Sequence, residues 1–218
     1  MSLDLLRESL PDIVQGLGMT MLMWLPGSAL AALLGLAVAI LRHYGGPVVD
    51  RVLQLSFGVI RATPFLVQIF LLYYGGPFAG LDLDAPTAGL IGLSVYGAAY
   101  FAEIIRGGFA AVPRGHIEAG RCVGLRRGQI LRRVLLPEVA VLILPASVNM
   151  LIVLMKETAV LSIITVPELT AAVTGIASLH FAYAEGAFVL ALAYWTLTEL
   201  TGRGGRLLER RLQRFRLA

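Results

Sequence analysis

The chemistry of this chain is concentrated in a few ionisable side chains set within otherwise apolar runs. Lys156 and Glu157 close an uncharged stretch that begins at Val139, Arg61 interrupts a run from Leu53 to Tyr74, and Glu103 and Arg106 stand at i,i+3 at the end of a third. A charge in such a setting is costly and faces protein or water, so each marks a candidate site. Lys156 and Glu157, with Thr158 beside them, could hold the two ends of a zwitterion, carboxylate to Lys and ammonium to Glu. The plainer alternative is that the two neutralise each other or pair with neighbouring helices. Arg61, with Thr63 and Gln68, could line a path, or the Arg61 side chain snorkels to the inner surface. Glu103 and Arg106 read first as an intrahelical ion pair, with a part in gating as the sharper reading. His43, His116 and His180 are scattered without metal-ligand spacing. The lone Cys122 excludes an intrachain disulfide framework or a Cys-rich metal site, and reads as a small core residue kept reduced.

The elements that must position these residues are membrane helices. The chain is 218 residues long, 57% hydrophobic and 15% charged, with mean hydropathy +0.79. Soluble domains carry about 25% charge, so the composition specifies an all-α integral membrane protein of one domain. Residues 3–17 place Leu3, Leu6, Leu10, Ile13, Val14 and Leu17 at helical spacing against Asp4, Arg7, Glu8 and Asp12. This is either an amphipathic helix on the interface, bent near Pro11, or a helix packed across the bundle. It lacks the basic start and small-residue cleavage site of a secretory signal, and no removal is expected.

Five spans are expected, over about 17–41, 53–75, 85–107, 134–158 and 182–201, with a loop over about 112–133. Pro64 should kink the second and free a carbonyl that needs a partner. The third is rich in Gly, Ala and Ser and should be central and crowded. Residues 159–181 alternate short apolar pieces with Pro167 and Gly175, too short to cross, and read as an outer re-entrant or interfacial segment. Arg and Lys number two over 42–51, seven over 106–133 and six in the tail, against none over 76–85 and 159–182. The N-terminus is therefore expected outside and the C-terminus in the cytoplasm.

The cytoplasmic loop between spans three and four is the most patterned stretch. Arg121, Arg126, Arg127, Arg132 and Arg133 crowd into the positions before a run that turns apolar after Glu138. Ile117, Ala119, Cys122, Val123 and Leu125 can form one apolar face of a short helix that Gly124 ends; Gly120 weakens it by roughly 1 kcal/mol. An apolar patch with a basic rim suits docking to a soluble protein, the alternative being a loop on lipid headgroups. No aromatic interleaving accompanies the arginines, so nucleic acid is not an expected partner. A P-loop needs Gly, four residues and Gly-Lys-Ser/Thr. The single Lys, between Met155 and Glu157, offers none, so any ATP-driven engine is a separate subunit.

The loop's spacing is Glu118-Ala119-Gly120, three residues, Gly124, nine residues, then Val134-Leu135-Leu136-Pro137. This resembles the EAA loop of ABC importer permeases, departing at Gly120 and Val134. Arg61 to Gln68, Ala99 to Gly107, Lys156 to Ser162 and Val166 to Leu169 resemble, in order, the RGTPLLVQ, AYxAEIxRG, KDTSLAS and GVPEL segments of the polar amino acid permeases, with Ala62, Glu157 and Thr165 as departures. The resemblance implies a type I importer permease of the cell (inner or plasma) membrane, not itself an enzyme. Glu118, Ala119, Gly120, Gly124, Leu136 and Pro137 would then couple to the ATPase. Implied partners are two ATP-binding subunits holding ATP and Mg, a second permease (identical or sister), and an external solute-binding protein that delivers an amino acid. A self-contained ion-coupled carrier or channel is the alternative, but it leaves the loop's spacing unexplained.

Overall fold

The computed structural model describes the backbone of residues 3–216 and the side chains of residues 7–211. The side chains of Leu3, Asp4 and Leu6 from the amphipathic pattern, and of Arg214 and Arg216 from the tail, lie outside that range. Nine helices follow in order among the described residues, with no strand: α1 (Leu3–Tyr44), α2 (Gly46–Ala62), α3 (Phe65–Tyr73), α4 (Ala85–Ala111), α5 (Arg114–Cys122), α6 (Arg127–Ile130), α7 (Leu136–Glu157), α8 (Leu169–Leu179) and α9 (Tyr183–Arg216). A π-helical turn, Leu131–Leu135, joins α6 to α7, and a 3₁₀ turn, Thr158–Ile164, prolongs α7. Arg7–Tyr44, Ala85–Ala111 and Arg127–Ile164 are each long and apolar enough to cross a membrane, and α2 with α3 makes a fourth candidate if counted as one. α9 is not among them, because Glu185, Glu199 and its arginine-rich second half dilute its apolar centre.

The amphipathic segment and the first expected span are one helix. α1 runs unbroken for 42 residues through Pro11 and Pro26. At about 1.5 Å per residue it reaches roughly 60 Å, twice a hydrocarbon core of about 30 Å. Its outward side presents Leu22, Leu25, Leu33, Leu36 and Ile40, an uncovered apolar face.

α4 is the central helix, as its small residues require. Of its most apolar window 61% is buried, against 28% and 22% for the other two long helices. A Cβ added at Gly97 would lie 2.6 Å from that of Ala31, and one at Gly35 would lie 2.5 Å from that of Phe101. The backbones of α1 and α4 therefore pack at a distance that admits no larger residue at these crossings. Leu93, Phe101, Leu154, Leu161 and Ile164 fill the core around them.

The second expected span is not straight: α2 and α3 meet at 103° across Thr63-Pro64. Residues 158–179 turn inward rather than lying on a surface. Thr158, Leu161, Ile164, Val166, Leu169 and Val173 are all buried, and the segment packs against α1, α4 and α9. Of the apolar residues expected along the loop helix, Ile117, Ala119, Cys122, Val123 and Leu125, none is buried. Gly120 is the residue of α5 that turns inward, where an added Cβ would sit 3.2 Å from Ile130 Cγ1. Cys122, two residues on and so about 200° around the helix, is exposed, as are Ala119 and Val123. Cys122 is thus not a core residue.

Candidate functional site

Glu103 of α4 is the centre of a charged node drawn from three helices. Its Oε2 accepts from Arg106 Nη2 at 2.7 Å and Nε at 2.8 Å, one turn on. Its Oε1 accepts from Arg61 Nη1 at 3.2 Å and from Arg42 Nη1. Arg42, in the last turn of α1, also reaches Asp50 Oδ1 of α2 at 2.8 Å. Arg61 ends α2 and donates a second bond to Ala99 O at 3.2 Å. The intrahelical pair expected of Glu103 and Arg106 forms, but as part of a network that adds Arg42 and Asp50. Sequence spacing gave no sign of either, since Arg42 stands in the last turn of α1 and Asp50 near the start of α2, both far from Glu103 in the chain.

From this node a polar stripe runs along α4. Tyr96, Tyr100 and Glu103 stand at i, i+4 and i+7, one helical face. The Tyr96 and Tyr100 hydroxyls are 3.4 Å apart, and Tyr100 donates to Arg61 O at 3.5 Å. Both tyrosines pack within the aromatic set that includes Phe65. Glu157 is half-buried and Lys156 exposed, and no ion pair joins them among the described residues. Thr158 is fully buried and donates to Met155 O at 2.6 Å.

Thr63 and Gln68 are engaged at the α2–α3 elbow. Pro64 ends the ladder of α2 and leaves carbonyls without helical donors. Gln68 Nε2 supplies them, donating to Ile60 O at 2.7 Å, Thr63 O at 3.0 Å and Thr63 Oγ1 at 2.8 Å. Thr63 Oγ1 donates to Val59 O at 3.0 Å. The freed carbonyl expected from Pro64 thus has its partner within the chain. Of the six residues expected to meet solute, Arg61, Thr63 and Gln68 gather at the elbow and node, while Lys156, Glu157 and Thr158 end α7.

The loop helix is built to present a fixed surface. α5 closes in a Schellman motif, with Leu125 N donating to Gly120 O at 3.1 Å and Gly124 N to Arg121 O at 3.0 Å, and Gly124 at φ +78°. Glu118 is exposed and makes no ion pair among the described residues, and Arg114, Arg121, Arg126 and Arg127 of the same stretch are exposed as well. His116 Nδ1 lies 2.7 Å from Glu138 Oε2 and ties α5 to the first turn of α7. Pro137 has no N–H for the carbonyl four residues back, so the ladder slips and Leu136 N bonds Leu131 O instead. The Leu136-Pro137 pair therefore sets the π turn through which the loop enters α7.

Glu168 was given no role by sequence reasoning. It is fully buried and caps α8, its carboxylate accepting from Ala171 N at 2.8 Å, Thr170 N at 2.9 Å and the Tyr194 hydroxyl of α9 at 3.1 Å. Leu169 N donates to Thr20 Oγ1 of α1 at 3.1 Å, so one corner joins three helices. An acid directly before an apolar helical run is the signal that finds such a cap.

Known proteins share this architecture. A probable amino-acid ABC transporter permease of Vibrio harveyi, PatM, is 36% identical over 200 residues, 90% of this chain and 89% of its own length. The Escherichia coli glutamine transport system permease GlnP is 32% identical over 207 residues, covering 94% of each. A crystal structure of an amino acid ABC transporter with histidines superposes with a TM-score of 0.88 at 34% identity over 97% of this chain and 100% of that one. The MetNI methionine ABC transporter, inward facing, has the same fold at 22% identity and a TM-score of 0.77. Residues 31–214 match the family described as the binding-protein-dependent transport system inner membrane component. The chain belongs to that family, whose members are the transport subunits of ABC systems and leave ATP hydrolysis to separate subunits.

Proposed function

We propose that the chain is the permease subunit of an ATP-driven amino acid importer, held in the cell membrane with its C-terminus and the α5 loop in the cytoplasm. The observation that carries this is α5: a capped helix with a free acid, Glu118, in a stretch of exposed arginines, tied to α7 through His116 and Glu138. Two ATPase subunits, binding ATP and Mg, would dock there, and their closure would move α5 as a lever on α4 and α7. A second permease, identical or sister, completes the path, and an external binding protein delivers the solute. Five spans with the N-terminus outside agree with the placement of the arginines. That reading counts α2 with α3 as one span and α9 as the last.

Lys156 and Glu157 are the residues proposed to meet the solute's carboxylate and ammonium, since neither is neutralised by the other. Reconstitution of the chain with its ATPase and binding protein in liposomes tests the function. Uptake of a radiolabelled amino acid that requires ATP is expected; equal uptake by the chain alone, without ATP, would sink the reading in favour of a self-contained carrier.

A further inference from the structure

The charged node holds three guanidinium groups, on Arg42, Arg61 and Arg106, against two carboxylates, on Asp50 and Glu103. One positive charge is therefore uncompensated within the cluster. The three arginines are not equally bound. Arg42 is 8% exposed and shared between both acids, so leaving them would strand a buried guanidinium. Arg106 makes two short bonds to one oxygen from the same helix. Arg61 makes the longest contact with Glu103, at 3.2 Å, with one further bond to a backbone carbonyl. If Arg61 departs, Glu103 keeps two charged partners. Arg61 is also the last charged residue before the sharpest bend in the fold, so a movement at Thr63-Pro64 displaces it first.

The polar stripe gives the direction in which Arg61 matters. The Tyr96 and Tyr100 hydroxyls form a polar line along α4 that ends on Arg61. We infer that Arg61 is a switched carboxylate acceptor: it rests on Glu103 and, when the elbow moves, takes over from Lys156 the α-carboxylate of the passing amino acid. Glu103 is its positioning residue, holding the guanidinium until the solute competes for it. A planar guanidinium suits this exchange because carboxylate and carboxylate compete for the same fork. The inference rests on the amino acid reading of the path given above.

The test uses the assembled transporter, purified with its ATPase subunits and without binding protein. Equilibrium binding of a radiolabelled amino acid that it transports is compared with binding of the same amino acid's α-carboxamide. Arg61→Gln should weaken amino acid binding about tenfold and leave the carboxamide unchanged. Glu103→Gln should tighten amino acid binding several-fold by releasing Arg61, and Arg61→Lys should fall between wild type and Arg61→Gln. Elution of each variant as an intact complex guards against misfolding, and Arg61→Lys serves if Arg61→Gln does not assemble. Wild-type affinity in Arg61→Gln, or no binding at millimolar solute by a complex that transports it, overturns the switch while the importer reading stands. Absence of ATP-driven amino acid uptake by the wild type would instead remove the reading on which it rests.

Discussion

His116 of α5 and Glu138 of α7 are joined across the turn between the two helices, with Nδ1 and Oε2 2.7 Å apart. The pair connects α5 directly to the helix that ends in Lys156-Glu157. An exposed pair of this kind contributes only about 0–1 kcal/mol to stability. On the proposed coupling role of α5, its value lies in rigidity between α5 and α7. His116→Ala should leave the unfolding temperature of the purified chain nearly unchanged and lower ATP-driven uptake several-fold, with the ATPase still bound. Uptake equal to wild type would show that the loop transmits movement by other contacts.

Glu118 predicts a different phenotype. It is exposed and unpaired among the described residues, so replacing it disturbs no internal contact. Surface changes of this sort stay within about 0.5 kcal/mol. Glu118→Arg should fold as wild type, and ATP hydrolysis should lose its coupling to uptake, which drops at least about tenfold. Hydrolysis and uptake measured on the same liposomes decide it.

The α1–α4 crossing sets the tightest steric limit. At Gly35 a new Cβ would meet Phe101 Cβ at 2.5 Å and Ala102 N at 3.0 Å, and neither neighbour is the end of a flexible chain. Gly35→Ala should therefore destabilise by about 1–3 kcal/mol, read as a lower midpoint of thermal unfolding in detergent. Gly18→Ala is the control. Nothing lies within 4 Å of its added Cβ, and the gain in helix propensity of up to about 1 kcal/mol should raise the midpoint. Equal effects at the two sites would rule out close backbone approach as the reason for the glycine.

Thr165 carries the opposite expectation. It sits at φ +67°, a left-handed conformation that a β-branched residue adopts at a cost of about 1–2 kcal/mol. The resembled permeases have glycine there. Glycine would relieve the strain but lose about 0.5–1 kcal/mol more chain entropy on folding. Thr165→Gly should thus stabilise the fold by up to about 1 kcal/mol, visible as a small rise in the unfolding midpoint. A fall would mean that the Thr165 side chain makes a contact worth more than the strain.

What was legible in the sequence follows the range of the interactions involved. The central position of α4 could be read from Gly92, Gly97 and Ala98, because small residues act locally on how near a neighbour can come. The end of α5 at Gly124 and the break at Pro64 were legible for the same reason, each being fixed by one residue's backbone chemistry. The union of the N-terminal segment with the first span was not, since Pro11 marks a bend in most contexts and only packing decides otherwise. Nor was the node at Glu103: Arg42 and Asp50 stand 61 and 53 positions from it in sequence, and nothing in their local pattern points there. Gly120 was read by propensity as a weak point, whereas tertiary packing against Ile130 gives it its place.

Gln68 shows how a residue of one apparent purpose is used for another. Its amide donates to Ile60 O, Thr63 O and Thr63 Oγ1, all on the far side of the Pro64 break. Leucine has nearly the same volume but no donor, so Gln68→Leu would leave Thr63 O unserved in the elbow and weaken the hold on Ile60 O. A lost bond to a partly buried carbonyl costs about 1–3 kcal/mol, and unfolding of the purified variant should reveal a loss of that size. Because α2 carries Arg61 one turn before the bend, a loosened elbow should also raise the basal ATPase rate in the assembled transporter by letting Arg61 leave Glu103 more often. The KM for solute should not rise if Gln68 acts only through the elbow. A large rise in KM with unchanged stability would instead put Gln68 in the path, against the bonds it makes here.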